Sequence, residues 1–199
     1  MTRDEILKKG VEAALALAET RKWSDLTLAE IAAEAGLSLQ DFHTRADKDD
    51  LTAGVERSFD AGMSEGSVED DETARTRLFD VIMMRFEAME RVRDGTMSYL
   101  RWRDGSIDGL ALRLKARSAT AKWALACAGL DGASGVPRGL QIAALGWAIA
   151  QAERAWREET SEDLGRTMAA LDAELIKIEE RATWIKRRGR RKPQPETDQ

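Results

Sequence analysis

The chain has 199 residues, 43% hydrophobic and 34% charged, which is enough apolar side chain to bury a core in one or two domains. Its formal net charge of -5 comes from 31 Lys and Arg against 36 Asp and Glu, and a single Cys and a single His exclude a disulfide framework and clustered metal sites. Apolar runs are only a few residues long and the opening Met-Thr-Arg-Asp-Glu lacks a secretory core, so a cytoplasmic protein with a reduced, inert Cys127 is expected.

Helical periodicity runs from Asp4 to Thr20, with Leu7, Val11, Ala14, Leu15 and Ala18 on one stripe and Lys8 and Lys9 as solvated groups. Trp23, in the following linker, reads as a lid on a small core. Thr27 and Glu30 have capping-box spacing, after which Leu28, Ile31, Ala32 and Ala35 share a face. Gly36 is suited to the left-handed conformation that ends a helix, and Ser38 with Asp41 starts the next one. The spacing predicts a second short helix over Leu39–Arg45, hence a helix-turn-helix. A fourth helix from Lys48 carries Leu51, Val55 and Phe59 inward.

Gly62 to Glu72 reads as a flexible acidic link. A helix over Thr73–Val92 follows, broken by Arg93-Asp-Gly95 before a short helix over Thr96–Arg103. Ser106 caps a longer helix to Ala128, whose Leu110, Leu112, Leu114, Trp123 and Leu125 wrap its circumference and predict a deeply buried position. Asp131–Val136 is a loop before Pro137, and Arg138–Glu158 carries two apolar stripes. Ser161 starts a final helix that continues the apolar pattern from Leu164 to Ile178. Two stripes need two partners, the chain's own core and a second copy. The expected dimer interface is Trp147, Trp156, Leu164, Met168, Leu171 and Leu175. Arg181–Lys192 is strongly basic around Trp184 and Ile185, and Pro193–Gln199 reads as disordered.

Residues 4–59 resemble the DNA-binding domain of TetR-type bacterial regulators. The likeness rests on the order of an amphipathic first helix, a Thr-started second helix, an Ala-Gly-aliphatic-Ser turn and Lys48 heading the fourth helix. It implies an all-α, TetR-like fold with a three-to-four-helix DNA-binding domain over 1–60. A helical ligand-binding and dimerisation domain over 61–180 and a basic tail over 181–199 would complete it. It further implies a homodimer that binds a duplex DNA operator and answers to a small apolar effector, with no cofactor, metal or catalysis. Thr27, Gln40, His43, Thr44, Arg45 and Lys48 are the expected DNA-binding residues. Gln can pair with adenine and Arg with guanine, Thr can meet a phosphate or a thymine methyl, and His43 and Lys48 suit phosphates. Met84, Phe86, Met89, Met97, Trp102 and Trp123 are the expected ligand-binding residues, because Met and aromatics adapt to irregular ligands.

The chain departs from the family pattern in the head. Leu39 replaces a basic or small residue, Asp41 brings a carboxylate, and Ala46 stands where an aromatic is usual. The Ser38–Lys48 interval is one residue short, and residues 1–60 hold 8 Lys and Arg against 13 Asp and Glu. A rival reading follows from the basic tail, which suits anionic lipid or nucleic acid. TetR-like folds also occur in lipid-binding accessory proteins of ubiquinone biosynthesis, and Met168-Ala-Ala-Leu-Asp-Ala-Glu-Leu175 is similar to their C-terminal region. An enzyme is the third class; no phosphate-cradling loop or nucleophile–base pair is present to carry it.

Overall fold

The computed structural model describes residues 1–66, 72–132 and 135–189, and within them the chain is all-helical. The elements are α1 (Arg3–Ala18), a 3-10 turn (Trp23–Asp25), α2 (Leu28–Glu34), α3 (Leu39–Phe42) and α4 (Lys48–Gly62), then α5 (Ala74–Glu90), α6 (Arg93–Gly105), α7 (Ile107–Cys127), α8 (Arg138–Arg157) and α9 (Gly165–Gly189). Each of the first four helices opens with a capping box, set by Thr2 and Glu5, Thr27 and Glu30, Ser38 and Asp41, and Asp47 and Asp50. Reciprocal capping satisfies amides that a short helix leaves free, which is how four- and seven-residue helices persist here.

The head, α1 to α4, closes over Ile6, Val11, Leu15, Ile31, Phe42 and Leu51, all buried. It is continuous with the body. Trp23 meets the Tyr99 ring edge-on at 5.1 Å, its backbone N–H donates to Ser98 Oγ, and Ser98 Oγ donates to the Arg21 carbonyl. α6 crosses α1 so closely that a Cβ on Gly95 would lie 2.2 Å from the Leu15 carbonyl oxygen. The expected break at Arg93–Gly95 is therefore the start of α6, with the chain turning at Val92 instead (φ -130°, ψ 42°).

A buried ionic network fastens α4 to the body. Glu56 receives Arg85 Nη2 at 2.5 Å, Arg103 Nη1 at 2.7 Å and the Tyr99 hydroxyl at 3.0 Å. Arg103 also reaches Glu153 on α8 at 2.5 Å, and Arg85 pairs with Asp60. Asp60 accepts further from Thr120 Oγ1, while its carbonyl accepts from Trp123 Nε1. Burial opposes ionisation of Glu56, yet the two guanidiniums hold its carboxyl below the ordinary range. For Asp60 burial outweighs its single guanidinium, and its carboxyl is pushed up.

Several helices face otherwise than the sequence predicts. α7 presents Gly109, Thr120, Ala121, Ala124 and Leu125 to the body and leaves Leu110, Leu114 and Trp123 mainly exposed, with Leu112 half-buried. Small residues let it approach closely: a Cβ on Gly109 would stand 2.3 Å from the Arg103 carbonyl oxygen. Trp156, Leu164, Leu171 and Leu175, expected at a dimer interface, are buried in the chain's own core, because the α9 stripe is covered by α8 and α5. Trp156 donates its Nε1–H to Glu90, and Arg93 lies 4.6 Å over its ring. Met168 is half-buried beside Phe79, in a groove between α5 and α9. Trp147 alone of the six is mainly exposed, at 58%.

α4 runs two residues past the boundary expected at 60, and α9 runs through the one expected at 180. Arg181 to Gly189 are the last turns of that helix, while the remaining basic residues and Pro193–Gln199 lie outside the described residues. Glu159 organises its start. One carboxylate oxygen accepts from the N–H groups of Thr160 and Ser161 and from Ser161 Oγ, and the other from Arg166 N–H, Thr167 N–H and Thr167 Oγ1. Burial works against its ionisation, but these bonds, Thr167 N–H foremost, bring it down to about 2. Glu159→Ala will cost about 2 kcal/mol in urea unfolding at neutral pH, because buried amides at a helix start lose their acceptor. A carboxyl lowered by folding stabilises above its unfolded value of about 4.3 and ceases to as pH falls toward its folded one. The gap between variant and parent will therefore narrow from pH 5 to pH 2.

Candidate nucleic-acid interface

α2 ends in a Schellman turn: Leu37 N–H donates to the Ala32 carbonyl at 2.8 Å, Gly36 N–H to that of Ala33 at 3.1 Å, and Gly36 takes φ +65°. Ser38 then caps α3. Its N–H and hydroxyl donate to Asp41 Oδ2, and Asp41 N–H returns to Ser38 Oγ. The Ser38 hydroxyl and amide hold the Asp41 carboxyl below its ordinary value, so Asp41 is a fixed negative charge at the head of this helix.

The second helix is shorter than expected. α3 ends at Phe42, which is buried, and His43 leaves it at φ -55°, ψ 125°. Thr44 takes φ +63°, and the Phe42 carbonyl accepts from the N–H groups of Arg45 and Ala46. His43, Thr44 and Arg45 therefore stand on a turn, where a helix through Arg45 was expected. The physical reason is the early start of α4. With Asp47 capping α4, too little chain remains for a second helical turn, and a β-branched residue is forced into the left-handed region. Gln40, His43, Thr44 and Arg45 are nonetheless all exposed on one short segment, Leu39–Arg45.

Three cations of the head, Lys48, Arg3 and Arg21, are occupied within the chain. Lys48 Nζ donates to the carbonyls of Leu26 at 2.5 Å and Ser24 at 3.1 Å, closing the 3-10 turn onto α4. Arg3 Nε donates to the Arg45 carbonyl and its Nη2 pairs with Asp50, both at 2.7 Å. Arg3 thus braces the exposed turn, a role that 42 residues of separation hide from the sequence. Arg21 pairs with Glu30 at 2.7 Å; that bond, ahead of those from Thr27, brings the Glu30 carboxyl down to about 2. The Thr27 hydroxyl is spent on the same carboxylate. Arg45 has no ion pair among the described residues and is the one exposed cation within Leu39–Arg45.

The six expected ligand-binding residues do not share a cavity. Phe86 and Met89 are sealed in the core, Met84 packs toward the turn after α4 at Gly62 and Gly66, and Met97 lies in a polar groove between α1 and α6. Trp102 stacks obliquely near Tyr99, and Trp123 is exposed. A cavity of about 640 Å³ instead opens between the first turns of α5, the α7–α8 connection and the last turns of α9. Leu78, Leu125, Leu140, Leu175, Ile178 and Ile185 line it, with Arg75, Glu179 and Arg181 contributing charge. Periodicity marked most of these as core; it could not show that the core is incomplete at this end. From Arg75 to Arg85, where α5 meets α4, is about 15 Å along the helix.

Among the described residues no helix is long and apolar enough to cross a membrane. No family model and no curated protein matches the sequence. Solved structures do match. A TetR transcriptional regulator from Nitrosomonas europaea is similar over 90% of this chain and 98% of its own, with a TM-score of 0.69 at 22% identity. Another from Rhodococcus sp. RHA1 covers 85% of this chain and 94% of its own, with a TM-score of 0.57 at 16% identity. At these identities the likeness fixes the architecture: the chain has the all-α TetR-like fold, a helix-turn-helix head set on a helical body.

Proposed function

We propose that this chain is a homodimeric, cytoplasmic TetR-type transcription regulator that binds operator DNA through the Leu39–Arg45 segment and releases it on binding a small apolar effector. The observation that carries this reading is the head itself. A capped α2, a glycine corner and a capped α3 project five exposed side chains, Leu39, Gln40, His43, Thr44 and Arg45, at the point where such a head meets a major groove. The effector's place is the 640 Å³ cavity, which has the size and apolar lining of a small-molecule site. The second copy would pack on α8 and α9, where Trp147, Ala169, Ala173 and Ile176 are exposed. The two solved structures named above are described as transcriptional regulators, which favours this reading over a lipid-surface accessory protein.

The test is selection of duplexes from a random pool by the full-length protein, followed by gel shift. An enriched, roughly palindromic sequence is the expected result. His43→Ala with Arg45→Ala will weaken that duplex by at least about tenfold while light scattering still finds a dimer, since each lost base or phosphate contact is worth ~1–3 kcal/mol. Undiminished binding by the double variant would assign recognition to another surface.

A further inference from the structure

We infer that Leu39 is a specificity-determining residue that reads the C5-methyl group of thymine, in an A·T-containing half-site whose adenine is taken by Gln40. The inference rests on the regulator reading above and deepens it. Among residues 1–66, Leu39 and the terminal Met1 are the only large apolar side chains left mainly exposed, and Leu39 is 52% exposed. The core does not need it: α3 is anchored by Phe42, and Leu37 packs at the turn. Leu39 is the first residue of α3 and Gln40 the second, so both stand at the end of the recognition element that meets base edges.

The chemistry available to these two neighbours is complementary to one base pair type. A carboxamide binds adenine N6 and N7 together, and an aliphatic side chain in the major groove has one apolar partner, the methyl of thymine. The electrostatics point the same way. Lys48 and Arg3 are committed to carbonyls and to Asp50, and Asp41 is held ionised beside Leu39. With 8 Lys and Arg against 13 Asp and Glu in residues 1–60, counterion release contributes less than in a basic head, and apolar burial against a base carries a larger share of the binding.

The experiment replaces each thymine of the selected duplex, in turn, by deoxyuridine, which removes only the methyl. For the full-length parent one symmetry-related thymine pair will stand out, with roughly fourfold weaker binding per half-site and about fifteenfold for both. Leu39→Ala, at an exposed position, will keep the parent's thermal midpoint and bind the thymine and uracil duplexes equally. Leu39→Lys will also lose the discrimination while steepening the salt dependence by about one unit per half-site. A pool that enriches no sequence would sink the regulator reading and this inference with it. An enriched sequence indifferent to uracil at every position, or a Leu39→Ala protein that still discriminates, would overturn the methyl contact alone.

Discussion

Replacing Glu56 by glutamine will lower the unfolding free energy by about 3 kcal/mol, read from the urea midpoint at constant slope. The carboxylate is shared by Arg85 and Arg103 in a site closed to water, with Tyr99 donating to it as well. A glutamine keeps the volume but removes the charge, leaving both guanidiniums short of a counterion; buried charges stripped of a partner are among the costliest point changes known. Matched removal will be milder. Glu56→Leu with Arg103→Met leaves Arg85 on Asp60 and Arg157 on Glu153, so the double variant will regain at least about 1 kcal/mol over E56Q. The pH response has a defined sign. Folding lowers the Glu56 carboxyl, so its contribution is present above the unfolded value of about 4.3 and lost as pH falls below it. E56Q lacks that contribution and will show a flatter acid limb. Asp60 acts oppositely. Its folded value is raised, so what it contributes is greatest in acid and fades as pH rises through that value.

Gly95→Ala will destabilise by about 3 kcal/mol, at the upper end of overpacking costs, because the contact it strikes is backbone. The new Cβ would meet three atoms of Leu15, its oxygen, carbonyl carbon and Cα, at 2.2, 2.9 and 3.2 Å. Neither helix has a side chain that can swing aside, so α1 and α6 must separate. Gly105→Ala, in the last turn of the same helix, is the control. Nothing lies within 4 Å of its Cβ, and helix propensity alone makes it neutral or stabilising by up to ~1 kcal/mol. Equal effects at the two positions would mean that the α1–α6 contact is looser than this geometry.

The sequence was most informative where structure is local. The capping box at Thr27, the Ser38 cap, the Gly36 corner, the Ser106 cap and the α8 start after Pro137 all depend on neighbours within a few residues, and all are present. It was least informative where the answer depends on what covers a face. The stripes on α8 and α9 were correct as stripes, but Trp156, Leu171 and Leu175 face the chain's own helices. α7 departs from the usual inference, since its small residues make the closer contact while Leu110 and Leu114 face out. The ionic network was invisible as a network because its members are drawn from positions 56 to 157, although one signal existed. Glu56 falls on the face of Thr52, Val55 and Phe59, and Arg85 on that of Ile82, Phe86 and Met89, so each charge sits within an apolar stripe. In the head, Thr27 and Lys48 are expected from the sequence as DNA contacts, yet their donor groups are spent within the chain, on a carboxylate and on carbonyls.

The close seating of α6 on α1 has a mechanical meaning for any regulator built this way. With Leu15 backbone against Gly95 and Glu56 clamped from two sides, the head has no joint of its own. In the dimer proposed above, each subunit would then move as a stiff lever about the twofold axis. On that reading an effector wedged into the cavity beside Arg75 would tilt the whole arm and carry the Arg45 turn with it.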